Sequence, residues 1–349
     1  MKKIKNLFIA LLPAAMMVAC KVDPKINTPK PVNNLVEQVP EGWPAPVYRF
    51  ANNPISEKTF ELGRALFYET LLSKDNTVSC GSCHQQFTAF AHADHNLSHG
   101  VNDRLGNRNS PGIFNLTWHT SFMHDGGINH IEVQPLAPIT NPVEMDEDIS
   151  NVIAKLQATE RYRKLFKESF GTDEVNSQRM FRAMAQFMAL MYSNSSKYDL
   201  VKKGEAGFTE SEARGYELFK INCGTCHTEP LFSDFKFRNN GIRFNPALND
   251  SGRARITNLA EDLYKFKTPS LRNVELTGPY MHDGSITTLE KCVEHYTLPP
   301  KNTTNLDPSL EGYPMQLNAG QRTDIVAFLK TLTDKKFIND QRFADPNFN

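Results

Sequence analysis

The sequence is poor in cysteine and tryptophan, has no excess of charge of either sign, and has only one long apolar run. Six cysteines in 349 residues are too few for a disulfide-dense scaffold, and a chain this long has no need of one. Lysine plus arginine and aspartate plus glutamate both number 39, so the formal net charge is zero and bulk electrostatics offers no grip on nucleic acid. A 22% charged fraction beside 40% hydrophobic residues excludes global disorder and can fill a real core. The length allows one large domain or two of ordinary size. Collagen, coiled coil and a multi-span membrane protein are excluded.

The apolar run, Leu7 to Ala19, follows Lys2, Lys3 and Lys5. It has the length of a signal h-region and is too short to span a bilayer. Met17-Val18-Ala19-Cys20 resembles a lipobox, which makes residues 1–19 a signal peptide and Cys20 the lipidated residue. The alternative is an ordinary signal cleaved near Ala19 with Cys20 incidental. Both export the mature chain to the periplasm, and in the lipobox reading it touches a bacterial membrane only through the lipid anchor. From Lys21 to Pro46 the prolines at 24, 29, 31, 40, 44 and 46 exclude a helix. Residues 20–52 read as an extended tether, with the folded body starting near Asn53.

Four of the cysteines fall into two C-x-x-C-H motifs, Cys80-Gly-Ser-Cys83-His84 and Cys223-Gly-Thr-Cys226-His227. Two thiols at this spacing add to the two vinyl groups of one haem, and the next histidine ligates its iron. A thioredoxin-like redox pair has no use for the histidine. A four-cysteine zinc site leaves both histidines unexplained. Two covalently bound haem c groups are therefore expected. Cys292 is left as a small buried hydrophobe.

The chain also repeats itself. Pro111-Gly-Ile-Phe-Asn115, Met123-His124-Asp125-Gly126 and Ile128 recur as Pro269-Ser-Leu-Arg-Asn273, Met281-His282-Asp283-Gly284 and Ile286, at a constant offset of 158. The haem motifs are offset by 143. An internal duplication is the simplest account. Helical periodicity predicts helices over 56–72, 149–170, 177–192, 209–221 and 322–332. The methionines at 180, 184, 188 and 191 read as core rather than ligands. Residues 94–117 and 239–258 read as long loops. The expected fold is mostly α, with two cytochrome c-like haem domains at 53–200 and 201–349 and their haems near the domain interface.

Two haem motifs, a duplication, Arg108-Asn-Ser-Pro111 and the M-H-D-G elements together resemble the bacterial di-haem cytochrome c peroxidase family, which includes MauG-type enzymes. The resemblance covers about Phe60 to Leu332. It implies a peroxidatic N-terminal haem and a C-terminal haem that accepts electrons. His99, in Ser98-His99-Gly100 ahead of Arg108, is similar to the family's distal ligand, with His92 and His95 as rivals. Gln134 and Glu144, the latter in Asn141-Pro-Val-Glu-Met145, match the family's pocket amide and acid–base carboxylate. A carboxylate in a closed pocket can take a proton from one peroxide oxygen and return it to the other. The alternative for Glu144 is a cap on a helix starting near Asp146. The resemblance also implies calcium between the domains, held by Asn109, Thr277 and Pro279.

Two positions depart from the family's pattern. His124 stands where most members have an inter-haem tryptophan; Trp118 is near, with nothing to show that it substitutes. The sixth ligand of the second haem is methionine in most of the family's peroxidases and tyrosine in the MauG branch. Here Tyr296 occupies that place, with Met281, Met315 and His295 competing. A tyrosinate ligand lowers the potential and removes the need for reductive activation.

The leading expectation is an oxidoreductase reducing hydrogen peroxide to water with electrons from a small donor protein, a cytochrome c or cupredoxin. The first alternative is a MauG-like oxidase acting on a protein or small substrate via high-valent iron. The second is a non-catalytic di-haem electron carrier. Nucleic acid is not expected as a partner; a homodimer is, since family members often dimerise.

Overall fold

A computed structural model describes residues 35–93, 95–311 and 314–347. The signal peptide, Cys20 and the first part of the tether lie outside the described residues. Residues 34–349 form one compact unit. It is mostly helical; its only strands among the described residues are the two-residue pair Phe237–Arg238 and Phe266–Lys267, antiparallel. No helix of the described residues is long and apolar enough to cross a membrane.

The unit holds two hydrophobic cores. The first gathers around the helices Glu57–Phe67 and Ser177–Ala189. The second gathers around Glu210–Asn222 and Ala319–Lys330. Each pair crosses at a glycine. A Cβ at Gly63 would collide with the Ala183 carbonyl and stand 3.0 Å from Phe187 Cβ; one at Gly215 would collide with the Asp324 carbonyl and stand 3.0 Å from Phe328 Cβ. Only a residue without a side chain permits helix backbones to approach this closely.

The repeated asparagines have matching tasks. Asn115 and Asn273 both adopt positive φ, 53° and 58°. Asn115 N–H donates to Met191 O at 2.8 Å and Asn273 N–H to Leu332 O at 3.0 Å. Each therefore ties its loop to the segment leaving the long core helix. Met123 and Met281 also share positive φ, 66° and 73°, in the matching turns closed by the bridges Phe122–Ile128 and Tyr280–Ile286.

Four expectations change on contact with the tertiary structure. The helix expected over 149–170 is two, Ile149–Ala158 and Glu160–Phe170. Thr159 between them is extended, its hydroxyl bonds back to Lys155 O at 2.9 Å, and Arg163 Nη1 caps the carbonyls of Gln157 and Ala158. The C-terminal helix starts earlier, at Ala319, because Asn318 and Gln321 form a capping box. The folded body begins before Asn53: Tyr48 and Phe50 are buried in the first core, and Trp43 packs edge-on against Trp118 at 4.8 Å. Prolines forbid a helix there but not the burial of aromatics from extended chain. Finally, the last residues cross back. Phe337 and Phe343 join the first core, and Tyr68 donates to Phe343 O at 2.7 Å.

The methionines at 180, 184, 188 and 191 are buried in the first core as expected. Residues 95–117 and 239–258 carry no long element.

Candidate active site

A cavity of about 1010 Å³ runs between the two cores. Single-ligand pockets reach roughly 300–1,000 Å³. Both C-x-x-C-H motifs line it, with Phe67, Met184 and Met188 from the first half and Phe219, Ile325 and Leu329 from the second.

Each motif is presented the same way. Cys80–Cys83 forms a single helical turn, and Cys223 closes the Glu210–Asn222 helix. The chain then reverses through Phe90 and Phe232, both at positive φ, 59° and 54°. That brings a carbonyl back onto each histidine: Nδ1 of His84 meets Phe90 O at 2.7 Å and Nδ1 of His227 meets Phe232 O at 3.1 Å. Only Nδ1–H can satisfy a carbonyl, so Nε2 is the free ligand nitrogen. Burial lowers both imidazoles, His84 to about 4, and keeps them neutral as a metal ligand requires.

The thiols fit covalent attachment better than the alternatives. Burial pushes Cys80 and Cys223 up to about 12 and Cys83 to about 11, the opposite of a redox-active thiolate. Among the described residues no cluster of three or more His, Cys, Asp or Glu could hold a metal ion. Apolar walls, paired thiols and oriented neutral imidazoles suit a haem at each motif. Cys292 is half-buried at the cavity wall and packs on the second core.

His99, Gln134 and Glu144 all line this cavity. His99 is near the first motif, where Cys83 Sγ lies 3.4 Å from its carbonyl. Its ring contacts the exposed His95 at 4.4 Å; His92 is buried, and neither His92 nor His95 borders the cavity. Gln134 Nε2 sits 3.8 Å from Met123 Sδ. Glu144 Oε1 accepts from Asn141 Nδ2 at 2.7 Å. Burial raises the Glu144 carboxyl, outweighing the lowering by Asn141 and Arg108. Glu144 is not a helix cap: the following helix starts at Ile149, and Asp148 caps it.

Between the halves, His124 Nε2 meets Asn109 O at 2.9 Å, and burial lowers His124 to about 4. The Phe266 and His282 rings stack at 3.7 Å. Asn109, Thr277 and Pro279 all border the cavity. Of the four rivals near the second motif, Tyr296, Met281 and Met315 line the cavity; His295 does not, and its Nε2 donates to Asn240 O at 3.0 Å.

Three features were invisible in the sequence reading. Arg108 of the R-N-S-P element is a tie between halves. It binds Asp250 through two bonds of 2.6 and 2.8 Å and Asp125 at 2.6 Å. Arg272, fully buried, binds Asp199 through two bonds of 2.9 Å and lies over Trp43. In the repeat it takes the place of Phe114 of the first copy. Asn240 carried no signal at all.

The chain matches the di-haem cytochrome c peroxidase family over residues 57–207. It is 33% identical to the methylamine utilization protein MauG of Methylorubrum extorquens, over 84% of this chain and 82% of that protein. It is 34% identical to the cytochrome c551 peroxidase of Nitrosomonas europaea, over 81% and 82%. A crystal structure of a MauG-like protein associated with microbial copper homeostasis superposes with a TM-score of 0.80 at 33% identity, covering 88% of this chain and 98% of that one. The protein is thus an oxidoreductase. It belongs to the di-haem cytochrome c peroxidase family, and membership implies two haem c cofactors.

Proposed function

We propose that the protein reduces hydrogen peroxide to water, H2O2 + 2e⁻ + 2H⁺ → 2H2O, with electrons from a small redox protein. The observation that carries this is the gathering of His99, Gln134 and Glu144 beside one of two haem motifs that share a single cavity. One haem is assigned to Cys80, Cys83 and His84, the other to Cys223, Cys226 and His227; bound there, they supply the redox chemistry and the electron path. The chain's own residues handle protons and access. Glu144, whose carboxylate burial makes a stronger base, takes a proton from one peroxide oxygen and returns it to the other. Gln134 offers an amide to the bound peroxide. His99 lies on a loop that controls access to the first haem.

The matching glycine crossings, asparagine ties and methionine turns of the two halves support an internal duplication, with 53–200 peroxidatic and 201–349 electron-accepting. Calcium at Asn109, Thr277 and Pro279 is supported by their shared position on the cavity wall. Export and lipidation at Cys20 are supported by the sequence alone.

A MauG-like activity on a protein or small substrate is favoured by one observation, Tyr296 on the cavity wall beside the second motif. His124 at the inter-haem position weighs against it. Spectra of the half-reduced and the fully oxidised protein, each mixed with one equivalent of peroxide, separate the readings. Peroxide consumption with donor oxidation only after half-reduction upholds the peroxidase. Direct reaction of the oxidised protein, with no donor turnover, favours the MauG-like reading. No reaction in either state leaves an electron carrier and removes both.

A further inference from the structure

The wall beside the second motif carries two thioethers, Met281 and Met315, and a phenol able to ligate iron, and one side chain touches both Met281 and the phenol. Asn240 Nδ2 lies 3.2 Å from Met281 Sδ and 3.4 Å from Tyr296 Oη. The amide is not free to flip. Its Oδ1 accepts from Ile242 N–H at 3.3 Å, so the nitrogen end faces the two rivals. Its main-chain carbonyl accepts from His295 Nε2 at 3.0 Å, which occupies a third rival.

The surroundings hold this arrangement in place. The neighbouring Asn239 side chain donates to Thr304 O at 2.8 Å and pins the loop. Met281 is fixed at φ 73° in a turn closed by Gly284 N–H to Met281 O at 3.3 Å. The repeat-equivalent Met123 is met the same way, by the Gln134 amide at 3.8 Å.

An amide NH₂ has two hydrogens, one for each rival. The two bonds are unequal. A thioether sulfur is a weak acceptor, whereas a tyrosine oxygen is an ordinary one. The same nitrogen therefore holds the tyrosine oxygen and occupies the sulfur that would replace it.

We propose that Asn240 is the positioning residue that sets the ligand choice at the second haem in favour of Tyr296, holding Tyr296 Oη with one N–H and tethering Met281 with the other. The inference rests on the assignment of Tyr296 as the sixth ligand.

The test uses the haem-loaded full chain and reads ligand-specific near-infrared magnetic circular dichroism and the midpoint potential of the second haem. Asn240→Asp keeps the size and the acceptor for Ile242 N–H but loses the donor. The expected result is loss of the phenolate signature, gain of a thioether signature and an upward shift of the potential, since thioether ligation raises it. Asn240→Asp with wild-type signature and potential, while Tyr296→Phe changes both, overturns the role of Asn240 and leaves Tyr296 as ligand. Tyr296→Phe indistinguishable from wild type removes the Tyr296 assignment and this inference with it. Haem content verifies folding; Asn240→Leu, of similar volume and without polar atoms, repeats the test where the aspartate variant does not retain haem.

Discussion

Gly100 lies directly against the main chain of Glu144. A Cβ at position 100 would collide with the carbonyls of Val143 and Glu144, and the next amide, Val101 N–H, donates to Glu144 O at 2.8 Å. The loop that carries His99 and the loop that carries the buried carboxylate are therefore one mechanical unit at the cavity wall. A change in either must be felt by the other.

Gly100→Ala tests this coupling. The added methyl has backbone, not a flexible side chain, in its way, so the two loops must part. Displacements of this order cost roughly a hundred-fold in turnover when reacting groups are misplaced. Peroxide turnover is expected to fall by about that factor with haem content unchanged. Turnover at the wild-type level would show that the contact has no functional weight.

Glu144→Gln is expected to lower peroxide turnover by roughly 10²–10⁴-fold, the usual span for a lost acid–base group. Because burial raises this carboxyl, the acid limb of kcat/KM lies above the ordinary glutamate value of about 4.3. Asn141 lowers the carboxyl by hydrogen bonding, so Asn141→Ala moves that limb to still higher pH. A pH–rate profile with the same limb in all three proteins would rule the assignment out.

Arg108→Met removes the cation shared by Asp125 and Asp250. Breaking a buried pair costs about 3–5 kcal/mol, read as a lower urea midpoint. The pH dependence has a defined sign. Burial alone would raise Asp250, but Arg108, together with the Gly252 N–H and His282, more than offsets this and the Asp250 carboxyl is held low. That stability is present above the unfolded aspartate value of about 3.9 and is lost as pH falls through the lower folded value. In the variant the Arg108 contribution is gone, Asp250 moves up, and the loss of stability with falling pH becomes smaller. Equal acid sensitivity in both proteins would contradict the pairing.

Cys223→Ala with Cys226→Ala removes both thioether positions of one motif. Haem per chain, measured on the denatured protein, is expected to fall by half, with the Cys80 and Cys83 site still loaded. Full haem content would disprove covalent attachment at the second motif.

What the sequence determined by itself is what short-range chemistry writes locally. The C-x-x-C-H motifs state their cofactor because the bonds formed with it depend on residues five apart at most. The 3.6-residue period marked the long helices because one face of each is buried. The repeat flagged Asn115 and Asn273, Met123 and Met281, and the structure gives each pair a shared backbone conformation. His99, Gln134 and Glu144 were legible through resemblance, and the fold places them on one cavity.

The tertiary structure decided everything that depends on who meets whom. Arg108 and Asp250 are 142 positions apart, and no local pattern announces their bond. Trp43 looked like tether because proline excludes helix, yet an extended segment can bury an aromatic as well as a helix can. Phe337 and Phe343 cross back to the first core, where their rings meet Phe90, Phe114 and Phe60. Asn240 is the plainest case. An asparagine in a long loop signals only a turn, and its contact with Met281 and Tyr296 exists because folding brings three separate segments to one wall. Pairing across sequence is set by packing and by the satisfaction of buried polar groups, and those are properties of the whole folded chain.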